Sequence, residues 1–577
     1  TFLSSNNMKI LTLHCDYIKF KPLKKAIKNP EIIKNEDEKT VQECLVVLTA
    51  VEHGDDQKVF DQYIEAVKKT ASDVKTKNIV LYPYAHLSSK LSAPDIALKT
   101  LEEAEKILAQ DYKVTRAPFG YYKTFELRCK GHPLSELSKE FHPEGFEEIL
   151  LKPKEEVYDP EKLLREISRS KLDTSKLKEN DHRILGQKLD LFSFNEVAPG
   201  AVFWHHNGLI IYNELISFAR ELLKKHNYLE ISTPQILDNR LWKISGHWDK
   251  YKSNIFLTEY EGRQFAAKPM NCPGGMLVYR ANTKSYKDLP LRVAEFGVVH
   301  RQELSGVLAG LFRVIKFTQD DAHIFCTEEQ LESEIIALME LLEEFYKPFG
   351  LSYHVELSTR PEKRIGSDEI WEKAEKTLET VLKKKKAKYK VNKGDGAFYG
   401  PKIDYHVKDS LGRTWQLGTI QLDFSMPERF QLEYVDKDNK KKRPVMIHRA
   451  IFGSLERFIG IILEHFSGNL PLWLSPIQVR VINFTDRNIR AAEKTVQYLK
   501  QEISGLRIDH DLQNTTVSDK VRQAEIQRIP YIIVIGDKEE ENGTLAVRQK
   551  GEKPKFGVKR EKFIEEIKKQ IFNRFIY

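Results

Sequence analysis

Cysteine is scarce in this sequence, and the few cysteines show no pattern that would pair them. There are five in 577 residues, an odd number without a CxxC motif: Cys15, Cys44, Cys129, Cys272 and Cys326. The spacing excludes a disulfide framework of the secreted kind and gives no local zinc-finger pattern. We therefore expect free thiols and a cytoplasmic protein.

Long apolar runs and a large net charge are also missing. No stretch is apolar enough to span a bilayer. Residues 1–7 lack the apolar centre of a signal peptide. They are compatible with either a cloning remnant or an upstream extension of the protein. The 92 Lys and Arg exceed the 84 Asp and Glu by a net charge of only +8. That excess is compatible with a nucleic-acid partner but does not identify one.

With 577 residues, the chain is too long for one hydrophobic core. Strand and helix patterns alternate in residues 8–152. Residues 153–188 are dense in charge and predict a linker with a short helix at 160–168. Residues 189–474 begin a new domain with a long amphipathic helix, and 475–577 return to β–α–β order, which predicts a largely parallel sheet. The expected fold is multidomain, α/β and α+β.

The stretch around NCPGG, RVAEFGVVHRQELSG and TQDDAHIF carries the strongest chemical signal. Gln319, Asp321 and His323 recur at a period of two, so a strand would place all three on one face. An amide, a carboxylate and an imidazole are unsuited to a hydrophobic core. Arg301 follows an apolar strand at the mouth of a loop, where a guanidinium could bind phosphate through two parallel hydrogen bonds. Each residue alone is also compatible with an ordinary surface position.

Taken together, these segments resemble the catalytic core of class II aminoacyl-tRNA synthetases, whose sheet is antiparallel. The helix and strand at 208–234 resemble motif 1, the usual dimer interface, and we expect a homodimer through them. The Arg301 hairpin resembles motif 2, and HRAIFGSLERF with Arg457 resembles motif 3. The resemblance implies catalytic roles for Arg301, Arg457 and Lys402. It implies a site for ATP with Mg²⁺ formed by Arg301, Glu303, Arg313, Phe317, Gln416 and Arg457.

A metal site is implied by the same resemblance, because NCPGG, TQDDAHIF and VMIHRAIFGS match the zinc-binding segments of threonyl-tRNA synthetases. The implied ligands of one zinc ion per subunit are Cys272, His323 and His448. Without the resemblance, Cys272 would be taken as a small buried hydrophobe. The implied threonine pocket contains Gln319, Asp321, Tyr399, Thr419 and Gln421. One Cys and two His leave an open coordination position for a substrate.

The flanking domains extend the resemblance to archaeal threonyl-tRNA synthetases. YPYAHLSS, APFGYYK and CKGHPLSEL resemble their deacylase-like editing domain, which implies a pocket lined by His86, Tyr122, Lys123 and Glu136. Of these, His86, Lys123 and Glu136 fall at expected strand ends or in loops. Residues 475–577 resemble an anticodon-binding domain, with Glu539 and Arg548 at base-reading positions. The lysine-rich runs at 382–390 and 440–443 favour a solvated helix end and a hairpin tip over contacts to tRNA phosphates.

The resemblance covers nearly all of the chain from Met8 and implies a threonine–tRNA ligase. Its implied partners are tRNA(Thr), threonine and ATP, with no membrane. Serine lacks only a methyl group of threonine, and one methyl discriminates by about 1–3 kcal/mol, so a site that hydrolyses seryl-tRNA is needed. Two alternatives stay open: a related ligase for serine or proline, and an RNA-binding regulator without activity.

Overall fold

The computed structural model describes residues 8–27, 29–33, 37–52, 55–88, 91–141, 159–167 and 177–574. The chain divides into two compact units, Thr1–Tyr158 and Asp159–Tyr577. Among the described residues, no helix is both long enough and apolar enough to cross a membrane. The four-part division expected from the sequence stays a prediction.

The first unit is a six-stranded sheet with helices on one face. Its strands are β1 (Met8–Lys25), β2 (Lys39–Ala50), β3 (Asn78–Pro83), β4 (Lys113–Arg116), β5 (Tyr121–Cys129) and β6 (Glu136–Phe141). The order is β4-β3-β2-β1-β5, and β6 also pairs with β1. Helices α1 (Gln57–Asp73) and α2 (Pro94–Leu108) each bury one apolar stripe, which explains their amphipathic sequences. Asp56 caps α1 by accepting from the Val59 N–H at 2.9 Å.

The second unit begins with short elements and one long helix. They are α3 (Pro160–Ile167), α4 (His182–Lys188), β7 (Phe192–Ser193), β8 (Phe203–Trp204), α5 (His206–Lys225), β9 (Leu229–Glu230), β10 (Ile236–Asp238), α6 (Arg240–Ile244), α7 (His247–Tyr251), β11 (Leu257–Tyr260), β12 (Arg263–Ala267) and α8 (Cys272–Arg280). The predicted linker helix matches α3, although Ser168, its expected last residue, lies outside the described residues. The predicted motif 1 helix matches α5, which buries Leu215, Ala219 and Leu223.

The central part of this unit is built on an eight-stranded, mainly antiparallel sheet. Its elements are β13 (Leu291–His300), β14 (Lys316–Cys326), α9 (Leu331–Tyr346), β15 (Ser352–Ser358), α10 (Asp368–Lys384), β16 (Tyr389–Asn392), β17 (Lys402–Lys408), β18 (Thr414–Asp423), α11 (Ser425–Arg429), β19 (Tyr434–Val435), β20 (Lys441–Lys442), β21 (Val445–Ala450) and α12 (Leu455–His465). The order is β16-β15-β17-β18-β21-β14-β13-β9. Helices α5, α9 and α12 contribute to its main hydrophobic core.

The carboxyl-terminal part is a five-stranded sheet flanked by helices. Its elements are β22 (Val479–Asn483), α13 (Ile489–Glu502), β23 (Ile508–Asp511), α14 (Val517–Ile526), β24 (Tyr531–Ile535), α15 (Asp537–Asn542), β25 (Thr544–Gln549), β26 (Lys555–Lys559) and α16 (Arg560–Asn573). Strands β23, β22 and β24 are parallel, as predicted, whereas β25 and β26 are antiparallel. The turn through α15 is short enough to reverse the chain and so sets that direction.

Two sequence expectations differ from the structure. The strand expected to run to Pro234 ends at Glu230, because the Thr233 N–H donates to the Glu295 carboxylate at 2.8 Å instead of a neighbouring strand. Lys123, expected at a strand end or in a loop, is the third residue of β5.

The lysine-rich runs lie where they were expected, at the end of α10 and on the β19–β20 hairpin. Lys383 and Lys442 pair there with nearby acidic residues.

Candidate functional site

A cavity of about 480 Å³ opens on one face of the eight-stranded sheet. It lies between the β13–β14 loop, strands β18 and β21, and the start of α12. Thirteen of the sequence-predicted residues line it: Cys272, Arg301, Glu303, Arg313, Phe317, Gln319, Asp321, Tyr399, Gln416, Thr419, Gln421, His448 and Arg457. Segments far apart in sequence therefore form one site. Of the residues predicted for this site, His323 and Lys402 fall outside the lining.

One end of the cavity is rich in guanidinium groups. Arg301 lies over the Phe317 ring at 5.2 Å, which fixes that side chain beside a flat aromatic surface. Arg313 pairs with Glu303 at 2.8 Å. Arg457 is half-buried and donates from Nε to the Phe312 carbonyl at 2.9 Å. Burial, and then the nearby charges of Arg313 and Arg301, lower the pKa of Arg457. Such clustered positive charge favours a polyanionic ligand.

A buried carboxylate that the sequence reading missed organises the adjoining wall. Asp404 Oδ1 accepts from Gln416 Nε2 at 2.6 Å and from Thr419 Oγ1 at 3.1 Å. Its Oδ2 accepts from Lys402 Nζ at 2.6 Å and from Ser358 Oγ at 2.8 Å. Asp404 therefore holds three predicted site residues in place. The signal was present in the sequence, because Lys402 and Asp404 share one strand face at a spacing of two.

The three predicted metal ligands converge at the other end. Cys272 begins α8, while His323 and His448 lie directly opposite each other on the paired strands β14 and β21. One ligand atom from each residue lies within 4.8 Å of the other two, and all three residues are buried. Burial raises the pKa of the Cys272 thiol well above its usual value and lowers that of His323 well below.

The state of the two imidazoles fits a metal at this position. His448 Nε2 and Asp423 Oδ2 are 2.9 Å apart, so Nε2 donates to the carboxylate and Nδ1 is left for a metal. His323 Nε2 is buried and has no hydrogen-bond partner among the described residues. An orphaned nitrogen beside a thiol and a second imidazole suits zinc, whose preferred donors are sulfur and nitrogen. Asp423 was also missed by the sequence reading, although it follows Gln421 at a spacing of two.

The wall next to this cluster suits a small amino acid. Tyr399 donates its hydroxyl proton to Gln421 Oε1 at 2.7 Å, which orients both side chains. Asn271 Nδ2 donates to Asp321 Oδ2 at 3.2 Å. Burial raises the pKa of Asp321 to about 6. A largely buried carboxylate on the wall of this cavity can bind the amino group of a ligand.

In the first unit, Lys123 lies on the face of the Tyr82 ring at 5.1 Å and donates to the Pro118 carbonyl at 2.8 Å. Burial lowers the pKa of Lys123 to about 8. The rings of Tyr82 and Tyr84 are neighbours, and His86 contacts Tyr84 at 5.4 Å. The structure thus brings His86 and Lys123 to one region.

The other two predicted editing residues lie apart from this group. Tyr122 points to the opposite face of β5, is 57% exposed and lies under Lys24. Glu136 begins β6 and interacts with Cys129, at the far end of β5 from Lys123. The structure therefore does not place all four predicted editing residues in one cluster.

The two predicted base-reading residues are also separate. Glu539 lies in α15, after the carboxyl end of β24, and its Oε2 accepts from the Gly536 N–H at 3.1 Å. Arg548 lies on β25 opposite Ile532, near the other end of β24, and Nη1 is 3.6 Å from Glu525. The structure therefore does not place these two residues in one cluster.

Three family models match the chain. Residues 8–141 match the "Archaea-specific editing domain of threonyl-tRNA synthetase". Residues 256–466 match the "tRNA synthetase class II core domain (G, H, P, S and T)", and residues 478–570 match the "Anticodon binding domain". The expected multidomain α/β and α+β fold, with an antiparallel class II core, is confirmed.

Individual relatives show the same similarity. The chain is 54% identical over 399 residues to a threonine–tRNA ligase of Desulforamulus reducens, covering 69% of this chain and 62% of the relative. It is 53% identical over 394 residues to one of Caldanaerobacter subterraneus, covering 68% and 61%. The chain therefore spans about three fifths of the length of these curated relatives. A crystal structure titled as the RNA binding domain of threonyl-tRNA synthetase from Cryptosporidium parvum Iowa II is 40% identical, with a TM-score of 0.66, and covers 68% of this chain and 98% of that one.

Proposed function

The chain belongs to the threonyl-tRNA synthetase family, and from this premise we propose that it charges tRNA(Thr) with threonine. In the first step, a threonine carboxylate oxygen attacks the α-phosphorus of ATP, and pyrophosphate leaves. In the second, the 3′-hydroxyl of the terminal adenosine of the tRNA attacks the carbonyl carbon of the adenylate, and AMP leaves. The observation that carries this proposal is one cavity with an arginine cluster at one end and a buried Cys-His-His group at the other.

One group of cavity residues binds ATP, and another binds threonine. Arg301 and Arg457 bind the phosphates of ATP, which enters with Mg²⁺, and stabilise the charge that develops on them. Glu303 binds the adenine amino group, and Phe317 stacks on the ring. Gln416, held by Asp404 on the cavity wall, would approach the ribose. Lys402 lies outside the lining and would reach the phosphate by turning away from Asp404. Catalysis is mainly positioning and charge stabilisation, and no covalent nucleophile is required.

The threonine end explains selectivity against valine. Cys272, His323 and His448 would hold zinc, which supplies a Lewis-acid position for an amino group and a hydroxyl group. Asp321 would accept a hydrogen bond from the substrate amino group, and Gln319, Tyr399, Thr419 and Gln421 would complete the pocket. Valine has no hydroxyl to offer and leaves buried polar groups unpaired, which is a large penalty.

ATP–pyrophosphate exchange with threonine, serine, valine and proline, with and without a chelator, tests the ligase activity. We expect strong exchange with threonine, weaker exchange with serine and none with valine, and loss of exchange after zinc is removed. A preference for proline or serine would instead assign a related ligase. Binding of tRNA by the zinc-loaded protein without any adenylate formation would assign an RNA-binding regulator.

We also propose that the first unit hydrolyses seryl-tRNA(Thr). Discrimination by one methyl group is only about 1–3 kcal/mol, which leaves serine as the principal error. Lys123 and His86, which lie in one region, would position the tRNA end and a water, whereas Tyr122 and Glu136 lie apart from them and have no part in this proposal. Replacing Lys123 with Ala should spare threonylation and allow seryl-tRNA to accumulate. Unchanged clearance of seryl-tRNA by this variant would end the assignment.

We further propose that the protein forms a homodimer through residues 208–234 and acts in the cytoplasm. Large apolar side chains near this region are exposed in the single chain, including Leu209 at 43%, Leu229 at 59% and Ile236 at 60%. Such a concentration suits an interface between subunits. Sedimentation equilibrium should give a dimer, and Leu229→Glu should shift it toward monomer. A monomeric wild-type protein would refute this part.

A further inference from the structure

A second group of potential metal ligands lies outside the cavity, at Asp181, His182 and Glu464. Its contacts do not suit a metal. His182 Nδ1 donates to Glu464 Oε1 at 2.7 Å, and His182 Nε2 accepts from the Leu311 N–H at 2.9 Å. Asp181 is engaged by Arg183 through Nε at 2.9 Å and Nη2 at 2.8 Å. Because both ring nitrogens already have protein partners, neither is free to bind a metal.

The direction of these hydrogen bonds fixes the tautomer of His182. A backbone N–H can only donate, so Nε2 carries no proton and the neutral ring has its proton on Nδ1. The ring is 1% exposed. Burial acts to raise the pKa of Glu464, but hydrogen bonds from His182 and Arg413 outweigh it and hold that pKa below its usual range. His182 is therefore clamped between a carboxylate of α12 and the backbone of the β13–β14 loop.

The loop that His182 contacts contains residues of the ATP end of the cavity. The His182 ring lies 4.2 Å from that of Phe312. The carbonyl of Phe312 accepts from Arg457 Nε at 2.9 Å, and the next residue, Arg313, pairs with Glu303. Phe312, Arg313 and Arg457 line the cavity, whereas His182 does not.

Gly310 shows how closely the loop approaches the imidazole. Its φ is +55°, a left-handed conformation that favours glycine. A Cβ atom at this position would be 2.2 Å from His182 Nε2. The close approach of the backbone therefore depends both on glycine in the loop and on the His182 ring.

We propose that His182 is a positioning residue for ATP: it holds the backbone at Gly310–Phe312 so that the Phe312 carbonyl and Arg313 are placed for Arg457 and the phosphates. This inference rests on the proposed ligase function, because that function places ATP at this end of the cavity. Helix α4 thereby contributes to adenylate formation, because the His182 side chain contacts both the β13–β14 loop and α12.

Two substitutions separate loop positioning from simple packing. His182→Gln can place an amide oxygen near the position of Nε2 and keep an acceptor for the Leu311 N–H. The shorter side chain of His182→Asn can replace only the Nδ1 hydrogen bond to Glu464. The Leu311 N–H is then left without an acceptor. We expect His182→Asn to raise KM for ATP about ten-fold, the order of effect of one buried unpaired donor, with KM for threonine unchanged. His182→Gln should stay within about three-fold of wild type.

The measurements are ATP–pyrophosphate exchange kinetics, calorimetric ATP binding and thermal unfolding of each variant. Equal ATP affinities for wild type and His182→Asn would overturn the proposal. The proposal would also be overturned if both variants lost affinity for threonine and for ATP to the same extent, in proportion to their loss of thermal stability. If His182→Asn does not fold, Gly310→Ala disturbs the same contact from the loop side, and an unchanged KM for ATP in that variant would also overturn the proposal.

The proposed ligase function can fail separately. Wild-type protein that binds ATP but never exchanges pyrophosphate with threonine would end the ligase assignment, while ATP binding by the variants would still decide the role of His182.

Discussion

Replacing Asp423 with Asn tests how His448 is prepared to bind a metal. Asp423 is completely buried. Its Oδ1 accepts from the N–H groups of Ser425 at 2.8 Å and Met426 at 2.9 Å, and its Oδ2 accepts from His448 Nε2. In the Asn variant, the amide oxygen stays with the two backbone donors, so the NH₂ group faces His448. Two donors then oppose each other, and the imidazole proton must move to Nδ1.

The size of the effect follows from that proton shift. A protonated Nδ1 has no lone pair for a metal, so the variant must first restore the less favourable tautomer. Loss of such an outer partner of a metal-binding histidine typically costs about 10–100-fold in metal affinity. This corresponds to about 1.4–2.7 kcal/mol. KM for threonine should rise with it, whereas KM for ATP should change little, because the arginine cluster is at the other end of the cavity.

Chelator competition on metal-free protein measures the zinc affinity, and exchange kinetics measure both KM values. Asp436→Asn is a suitable control, because it removes a carboxylate that pairs with Lys442 on the β19–β20 hairpin. Unfolding of the metal-free proteins should be similar. Wild-type zinc affinity in Asp423→Asn, or a loss fully explained by unfolding, would refute the reasoning about the tautomer.

Four further predictions concern other parts of the molecule. Cys272→Ala should lower zinc content and threonine activation together, and full activity without zinc would contradict the ligand assignment. Clearance of seryl-tRNA, corrected for spontaneous hydrolysis, should fall as the pH rises through about 8, because the ammonium of Lys123 loses its proton there; a flat profile would exclude a role for that charge. Asp404→Asn places an NH₂ group against donors and should weaken ATP binding by about 1–3 kcal/mol in direct titrations. Buried Asp320 Oδ2 pairs with buried Arg449 Nη1 at 3.0 Å; Asp320→Ala removes this carboxylate, and denaturant unfolding should show a loss of about 3–5 kcal/mol.

Local patterns in the sequence predict most of the elements and much of the cavity. The period of two in TQDDAHIF places Gln319, Asp321 and His323 on one face, and β14 has that arrangement. Amphipathic spacing predicts α5 to within a few residues at each end. Such signals succeed because strand and helix periodicity is set by the backbone itself. The convergence of Cys272, His323 and His448 came from family resemblance, since no local spacing joins them.

The partners of the site residues are what sequence patterns could not supply. His182 and Glu464 are 282 positions apart, and nothing near either residue indicates the other. The spacing of Lys402 and Asp404 indicates one pair, but only the folded sheet shows the other donors that Asp404 and Asp423 meet. The strand before Pro234 ends early for a similar reason: Glu295, 62 positions later in the sequence, accepts a hydrogen bond from the Thr233 N–H.

The direct pairing of His323 with His448 has a consequence for insertions and deletions. One residue added within β14 before His323, or within β21 before His448, would turn every later side chain of that strand to the other face. The same residue added to a connecting loop would leave the pairing unchanged. Length variation among relatives of this chain should therefore fall in the loops between Cys326 and Val445 rather than within β14 or β21. Scanning insertions should show a sharp boundary at the ends of these two strands.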